Sequence, residues 1–198
     1  MGRIDELILA LCPNGVEFKE LGEVSRIQRG KRLTKSQLSG SEKYPVYHGG
    51  LDPLGFYGES NRKANTVMVI NVGASAGTVG YSNVDFWSSD GCYCIGHSAL
   101  INPRFVYYAL LCQESTLRSK VRVAGIPTLD APVVERIKIP VPPLVVQEEI
   151  VKTLDLFTEL EAELEAELEA ELEARKKQYE YYRNKLLTFK CLNQDLQD

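Results

Sequence analysis

Apolar and polar positions change their period along this chain, and the change divides it. Through roughly the first hundred residues, short apolar or alternating runs stand between turn signals rich in Gly, Ser and Asn: "YPVYHGG", "VMVINVG", "AGTVGYS" and "CYCIG". Runs of that length, bounded in that way, predict many short strands joined by loops rather than alternating strands and helices. At "RFVYYALLCQESTLRSKV" the period lengthens, and Phe105, Tyr108, Leu111, Cys112 and Leu117 predict one amphipathic helical face. In "GIPTLDAPVVERIKIPVPPL", Pro140, Pro142 and Pro143 deny a helix and close the domain. No Gly or Pro follows Pro143, and Val145 to about Leu187 reads as one helix, about 60 Å of rod at 1.5 Å per residue. The expected architecture is α+β: a mixed, mostly β domain over 1–144, one long coiled-coil helix over 145–190 and a short tail over 191–198.

The rod has a pattern of its own. "FTELEAELEAELEAELEARKKQ", residues 157–178, spells Leu-Glu-Ala-Glu from 160, 164 and 168, then Leu-Glu-Ala-Arg from 172. Phe157, Leu160, Leu164, Leu168, Leu172, Tyr179, Tyr182 and Leu186 are the expected inward positions, with spacings of three and four and the tetrads acting as stutters in a coiled-coil pattern. Such a stripe needs a partner. Glu at every second position from 159 to 173 places like charges four apart, which weakens an isolated helix by a few tenths of a kcal/mol per pair. Beyond it the sign reverses, with Arg175, Lys176, Lys177, Arg183 and Lys185 facing only Glu180. Two copies laid antiparallel set acidic half against basic half, whereas a parallel pair stacks acid on acid, so an antiparallel homodimer is expected. The alternative is a solvated acidic helix folded back on its own domain.

Composition is that of an ordinary globular chain, 44% hydrophobic and 25% charged, and 198 residues suffice for one domain of about 150 with an appendage. Its longest apolar runs fall far short of the roughly 20 residues of a membrane span. Asp5 and Glu6 stand where a signal peptide is basic, and Glu6 spoils a myristoylation pattern, so a cytoplasmic location is expected. Five irregularly spaced cysteines, 12, 92, 94, 112 and 191, argue against a disulfide framework. Cys92, Cys94 and His97 in "CYCIGH" lack the spacing of a zinc site, and no metal is expected; in a strand the two cysteines share a face as small buried residues. "GASAG" at 73–77 formally matches a serine-hydrolase elbow on Ser75, with Asp85, Asp90 and His97 following. The segment after it reads as turn and strand where that motif needs a helix. Neither a Rossmann fingerprint nor a P-loop is present, so no cofactor is expected, and "GASAGTVG" reads as a permissive loop or simple β-turn.

Charge separates the two parts. Residues 1–158 hold 17 Lys/Arg against 16 Asp/Glu, whereas 159–198 hold 6 against 11. Within 24–138 the count is 14 basic to 8 acidic, the sign of a surface facing phosphates or of a solvated basic face.

Taken in order, "CPNGVEFKELGEVSRIQRGKRLTKS", "YPVYHGG", "VGASAGTVGYSNVDFWSSDGCYCI", "RFVYYALLCQ", "GIPTLDAPVVERIKIPVPPLVVQEEIVKTLDLFTEL" and "YEYYRNKLLTF" resemble the specificity subunit of Type I restriction-modification systems. The most specific piece is "IKIPVPPLVVQEEIVKTLD", a Pro-Pro exit leading into Gln147, Ile150 and Leu154. The resemblance implies a non-catalytic target-recognition domain that reads double-stranded DNA, on a helix that spaces it from a second such domain and docks methyltransferase subunits. Methyl transfer to adenine and ATP-driven translocation and cleavage would then belong to methyltransferase and restriction subunits. The family carries two recognition domains and two conserved helices per chain; this sequence has one of each, which fits a two-fold dimer reading an inverted two-part target. The tetrads would act as a ruler in the spacing helix. Docking is expected at Gln147 to Thr158 and at Tyr179 to Phe189. A coiled-coil adaptor without DNA binding, or a hydrolase using Ser75, is the alternative.

The expected phosphate contacts are Arg29, Lys31, Arg32, Lys35, Arg62, Lys63, Arg118, Lys120 and Arg122, with structural ion pairs the alternative for about half. Base reading is expected from Gln28, Lys35, His48, Ser75, Thr78, Tyr81 and Thr128, with Gly49 permitting close backbone approach beside His48. Tyr44, Tyr47 and Tyr57 read more readily as core.

Overall fold

The computed structural model describes residues 2–188. The expected tail, 191–198, and the end of the expected helix lie outside the described residues. The chain divides between Val151 and Lys152 into two units, a head and a rod.

Residues 66–70 make the head's central strand. β5 (Thr66–Ile70) is buried at every position and paired on both sides, in a sheet ordered β2-β8-β5-β6 with β2 (Ile27–Arg29), β6 (Val79–Ser82) and β8 (Cys92–Ile95). Every pairing in this sheet is antiparallel. Val67, Val69, Val79, Tyr93 and Ile95 point into the main core, which also holds Phe105's neighbours Val106 and Leu110 of α3 (Pro103–Leu111). Met68 and Cys94 point the other way, onto Phe86 and Tyr47. A strand covered on both faces needs apolar residues at every position, which is why "TVMVI" runs continuously where a half-buried strand alternates.

Tyr47 belongs to a second sheet, ordered β4-β3-β7, of β3 (Tyr44–Tyr47), β4 (Gly55–Tyr57) and β7 (Trp87–Ser88). Its ring meets Phe86 edge-on at 5.4 Å, and burial raises its phenol pKa. A third, two-stranded sheet joins β1 (Phe18–Glu20) to β9 (Lys138–Pro140), so the segment leaving the head is bonded to the one entering it. The short helices are α1 (Arg3–Leu11), α2 (Leu21–Val24), α4 (Glu114–Ser119) and α5 (Ala131–Glu135).

The α+β expectation, a strand-rich region followed by a long C-terminal helix, holds. Two local readings change. The expected single helical face over 105–117 is two helices, α3 and α4, broken at Cys112 and Gln113. Phe105, Val106, Leu110 and Leu117 are buried while Leu111 and Cys112 are exposed. The break lets α4 re-aim Leu117 into the core, and Gln113 Nε2 donates to the Lys138 carbonyl at 2.6 Å. Five residues after Asp130 also form α5, with Pro132 in its first turn, ahead of the prolines that end the domain.

The long helix α6 spans Leu144–Thr188 without interruption. Its first turn belongs to the head. Gln147 is fully buried there: its Oε1 accepts from Asn102 N–H at 2.8 Å, and its Nε2 donates to the carbonyls of Leu100 at 3.1 Å and Pro142 at 2.7 Å. Asn102 in turn caps α3, its Oδ1 accepting from Arg104 N–H at 2.8 Å. From Leu156 to Thr188 every residue is exposed, Phe157, Tyr179, Tyr182 and Leu186 included. Leu160, Leu164, Leu168 and Leu172 keep 50, 56, 57 and 55% of their surface in water. Arg175 with Glu171 and Lys177 with Glu173, each at 3.4 Å, clasp the junction of the acidic and basic halves. No helix among the described residues is long and apolar enough to cross a membrane.

Candidate nucleic-acid interface

Four loops of the head converge. After β3, Tyr47 passes to His48, Gly49 and Gly50; after β5, Asn71 begins the glycine loop that ends at Thr78; between β7 and β8 lie Asp90 and Gly91; and residues 122–128 form a hairpin. Backbone bonds tie them together. Asn71 N–H donates to Gly91 O at 3.0 Å, Ser89 N–H to Tyr47 O at 3.0 Å, Leu129 N–H to Asn71 O at 2.8 Å and Gly73 N–H to Pro127 O at 2.9 Å. At Gly91 an added Cβ would lie 2.7 Å from His48 Nδ1, so the two loops touch only because that position has no side chain.

The basic strand end joins this cluster. Arg29 Nε donates to Asp90 O at 3.1 Å, and Arg62 Nη2 donates to Arg29 O at 3.0 Å. Past β2, Trp87 Nε1 donates to Lys31 O at 2.7 Å, fixing the loop that carries Lys31, Arg32 and Lys35. Those three side chains are exposed and make no ion pair among the described residues. Gln28, Arg62 and Lys63 line a cleft of about 250 Å³ with Asn61, Thr66 and His97. The band from His48 through Asp90 and Arg29 to Arg62 is therefore one connected surface.

Three buried side-chain atoms lack a hydrogen-bond partner among the described residues: His48 Nδ1, Arg62 Nε and Asn71 Oδ1. All three fall in this band. His48 Nδ1 lies 3.3 Å from Asp90 Oδ1, within ion-pair range yet without hydrogen-bond geometry. All three atoms are buried, so the groups this band presents outward are the exposed cations of the loop after β2, Lys31, Arg32 and Lys35.

Most of the remaining residues expected at a site have internal work. Arg118 Nη2 donates to Thr78 Oγ1 at 2.8 Å and its Nε to Glu114 Oε1 at 3.0 Å, while Glu114 Oε2 accepts from Val79 N–H at 3.0 Å. This clamp closes over Gly77, whose φ of +88° and 2.9 Å clearance to Arg118 Cα exclude any side chain. Ser75 sits in the same loop, its carbonyl accepting from Thr78 N–H at 3.0 Å. Arg122 pairs with Asp130 at 2.9 Å, and Thr128 faces it across the hairpin. Lys63 pairs with Asp85 at 3.3 Å; the Asp85 carboxyl is held below its ordinary range by the Ala64 N–H it accepts from and then by that lysine. Tyr81 stands apart, its ring 4.8 Å beneath the Arg104 guanidinium and 5.5 Å from Tyr107. Lys120 is exposed at the end of α4, without an ion pair among the described residues. Tyr57 meets Trp87 edge-on at 5.1 Å.

The hydrolase reading of Ser75 loses its frame. Strand β6 follows the loop where a helix is required, and His97 Nε2 is engaged by Thr66 Oγ1 at 3.2 Å and by Asn65 O at 3.0 Å. Cys92 and Cys94 are buried strand residues; burial, reinforced by Cys94, pushes the Cys92 thiol up to about 12. Two asparagines escaped sequence reasoning. Asn61 brackets Ser88, donating to its carbonyl at 2.9 Å and accepting from its N–H at 2.7 Å, and Asn71 pins three loops. Only adjacency gave a signal: Asn61 precedes a basic pair, and Asn71 precedes the glycine loop.

The family model described as the Type I restriction modification DNA specificity domain matches residues 13–174. A protein of Haemophilus influenzae named as a type I restriction enzyme specificity subunit is 38% identical over 189 residues, covering 90% of this chain and 48% of its own length. One of Mycoplasma pneumoniae, named as a type I specificity subunit, is 33% identical over 172 residues, covering 85% and 46%. The chain thus spans about half the length of the curated relatives it matches. Among solved structures, the S subunit of a Type I restriction-modification system from M. genitalium superposes with a TM-score of 0.65 at 22% identity, over 89% of this chain and 47% of that one. The HsdS subunit from Thermoanaerobacter tengcongensis gives 0.58 at 21% identity, over 75% and 38%. At those identities the likeness is one of fold.

Proposed function

The chain belongs to the family of Type I restriction modification DNA specificity domains, and from that premise we propose that its head reads duplex DNA while its rod sets the spacing between two heads. The observation that carries the reading is the convergence of the head's loops into one band beside exposed cations, Lys31, Arg32 and Lys35, that have no ion pair among the described residues. Lys31, Arg32, Lys35 and Lys120 meet phosphates, which position the protein; base edges are read by loop side chains, Gln28, His48, Ser75 and Thr128 among them. Arg29, Arg62, Lys63, Arg118 and Arg122 serve chiefly to hold the loops that do so. The role is recognition rather than catalysis, and methyl transfer and cleavage fall to methyltransferase and restriction subunits, the methyltransferase subunits docking on the helix.

The rod pairs with a second copy, antiparallel, through the half-exposed leucine stripe. Opposite charge in its two halves favours that direction. The target is then two inverted half-sites. The domain division proposed is a recognition head to about residue 144, a spacing and docking helix to about 190, and a tail. Docking at Tyr179 to Phe189 rests partly on Phe189, outside the described residues.

Each tetrad adds about 6 Å and about 40° beyond a full turn. At about 3.4 Å per base pair, removing one shortens the spacer by one or two base pairs. The test is to co-express the chain with its methyltransferase, map methylated adenines, and repeat after deleting residues 164–167. Expected is an inverted two-part site whose halves persist while the gap contracts. An unchanged gap rejects the ruler, and an absence of sequence-specific methylation rejects recognition itself.

A further inference from the structure

Val123 and Ile126, at 76% and 71%, are the two most exposed large apolar side chains among the described residues. They sit at the tip of the 122–128 hairpin, and that hairpin is firmly built. Arg122 and Thr128 exchange backbone hydrogen bonds of 2.8 and 3.0 Å, and Thr128 Oγ1 donates to Ile126 O at 2.9 Å. Between the two prongs Gly125 takes a φ of +91° with open space around it. Through Pro127, whose carbonyl accepts from Gly73 N–H, the hairpin is continuous with the loop band. At its base Arg122 is paired with Asp130 at 2.9 Å, and Lys120 is exposed and free of ion pairs among the described residues.

We infer that this tip is an apolar wedge that enters the minor groove and unstacks a base step, an inference resting on the DNA-reading role above. Two side chains on a rigid tip make a patch far too small for a stable protein interface, which takes about 800 Å² per partner. A pair of apolar prongs with an unpaired lysine at their base suits a groove, where the prongs part stacked bases and Lys120 meets a phosphate. Leaving valine and isoleucine in water is otherwise unfavourable, and nothing in the hairpin's own bonding requires them.

The test uses the full chain assembled with its methyltransferase and an end-labelled duplex carrying the mapped target, reading affinity and end-to-end energy transfer together. Expected is a kinked duplex with wild type. V123A/I126A should bind about tenfold more weakly and leave the duplex straighter, and V123L/I126M should restore both. Equal affinity and equal bending in all three overturns the wedge while leaving DNA reading in place. Loss of methyltransferase from V123A/I126A, with bending retained in whatever complex remains, also overturns it and makes the tip a protein contact. If wild type binds no duplex, the DNA-reading role falls and the wedge with it.

Discussion

Helices α3 and α6 share an apolar period and differ in what satisfies it. Nine residues of α3 would not hold as a helix in water. They hold here because Asn102 caps them and Phe105, Val106 and Leu110 are buried in the head. The rod is five times as long and from Leu156 onward buries nothing. Apolar periodicity satisfied within a chain makes a core; the same periodicity left unsatisfied is a demand on another molecule. The most disruptive way to probe that contrast is to remove the demand. Leu164 and Leu168 lie near the middle of α6, where an antiparallel pair would cross its two-fold axis. In L164A/L168A four leucines vanish per dimer, about 4 kcal/mol or roughly a thousandfold in association. Sedimentation equilibrium should find dimers of wild type and monomers of the variant, while the head keeps its near-ultraviolet dichroism. A monomeric wild type would remove the premise.

The junction of head and helix is the next largest lever. Gln147 satisfies three backbone groups at once, so Q147A leaves buried partners unmet and should cost the head about 2–3 kcal/mol. Urea unfolding should show a lower midpoint with an unchanged slope, and rod association should be untouched. A loss that appears only in association would mean that Gln147 serves the dimer and not the head.

This contrast also explains what was legible beforehand. The start of the rod and its unbroken course could be read, Val145 against the observed Leu144, because an unbroken local period with no Gly or Pro needs no tertiary information. Strand β5 was legible for the opposite reason, since burial on both faces leaves a continuous apolar run. The break between α3 and α4 was not, because it serves the aim of Leu117 and the reach of Gln113 to Lys138, neither of which is local. The same limit governs the site. His48 and its glycine carry a signal in sequence; the chain of contacts from His48 through Asp90 and Arg29 to Arg62 does not.

A smaller effect separates the cations that face outward from those that hold the loops. Lys31, Arg32 and Lys35 have no carboxylate partner among the described residues, whereas Arg118 binds both Thr78 and Glu114. If the outward cations release counterions from DNA, each Lys→Ala or Arg→Ala change at 31, 32 or 35 should lower the slope of log affinity against log salt by about one, without touching stability. R118A should do the reverse, costing about 1 kcal/mol of stability by loosening the glycine loop, with the salt slope kept. Binding isotherms at several salt concentrations, paired with unfolding curves on the same variants, measure both quantities. A full unit of slope lost in R118A would place that guanidinium on a phosphate and release the loop from its clamp. No change of slope at 31, 32 and 35 would move the phosphate track off this band and onto Lys120 and the hairpin.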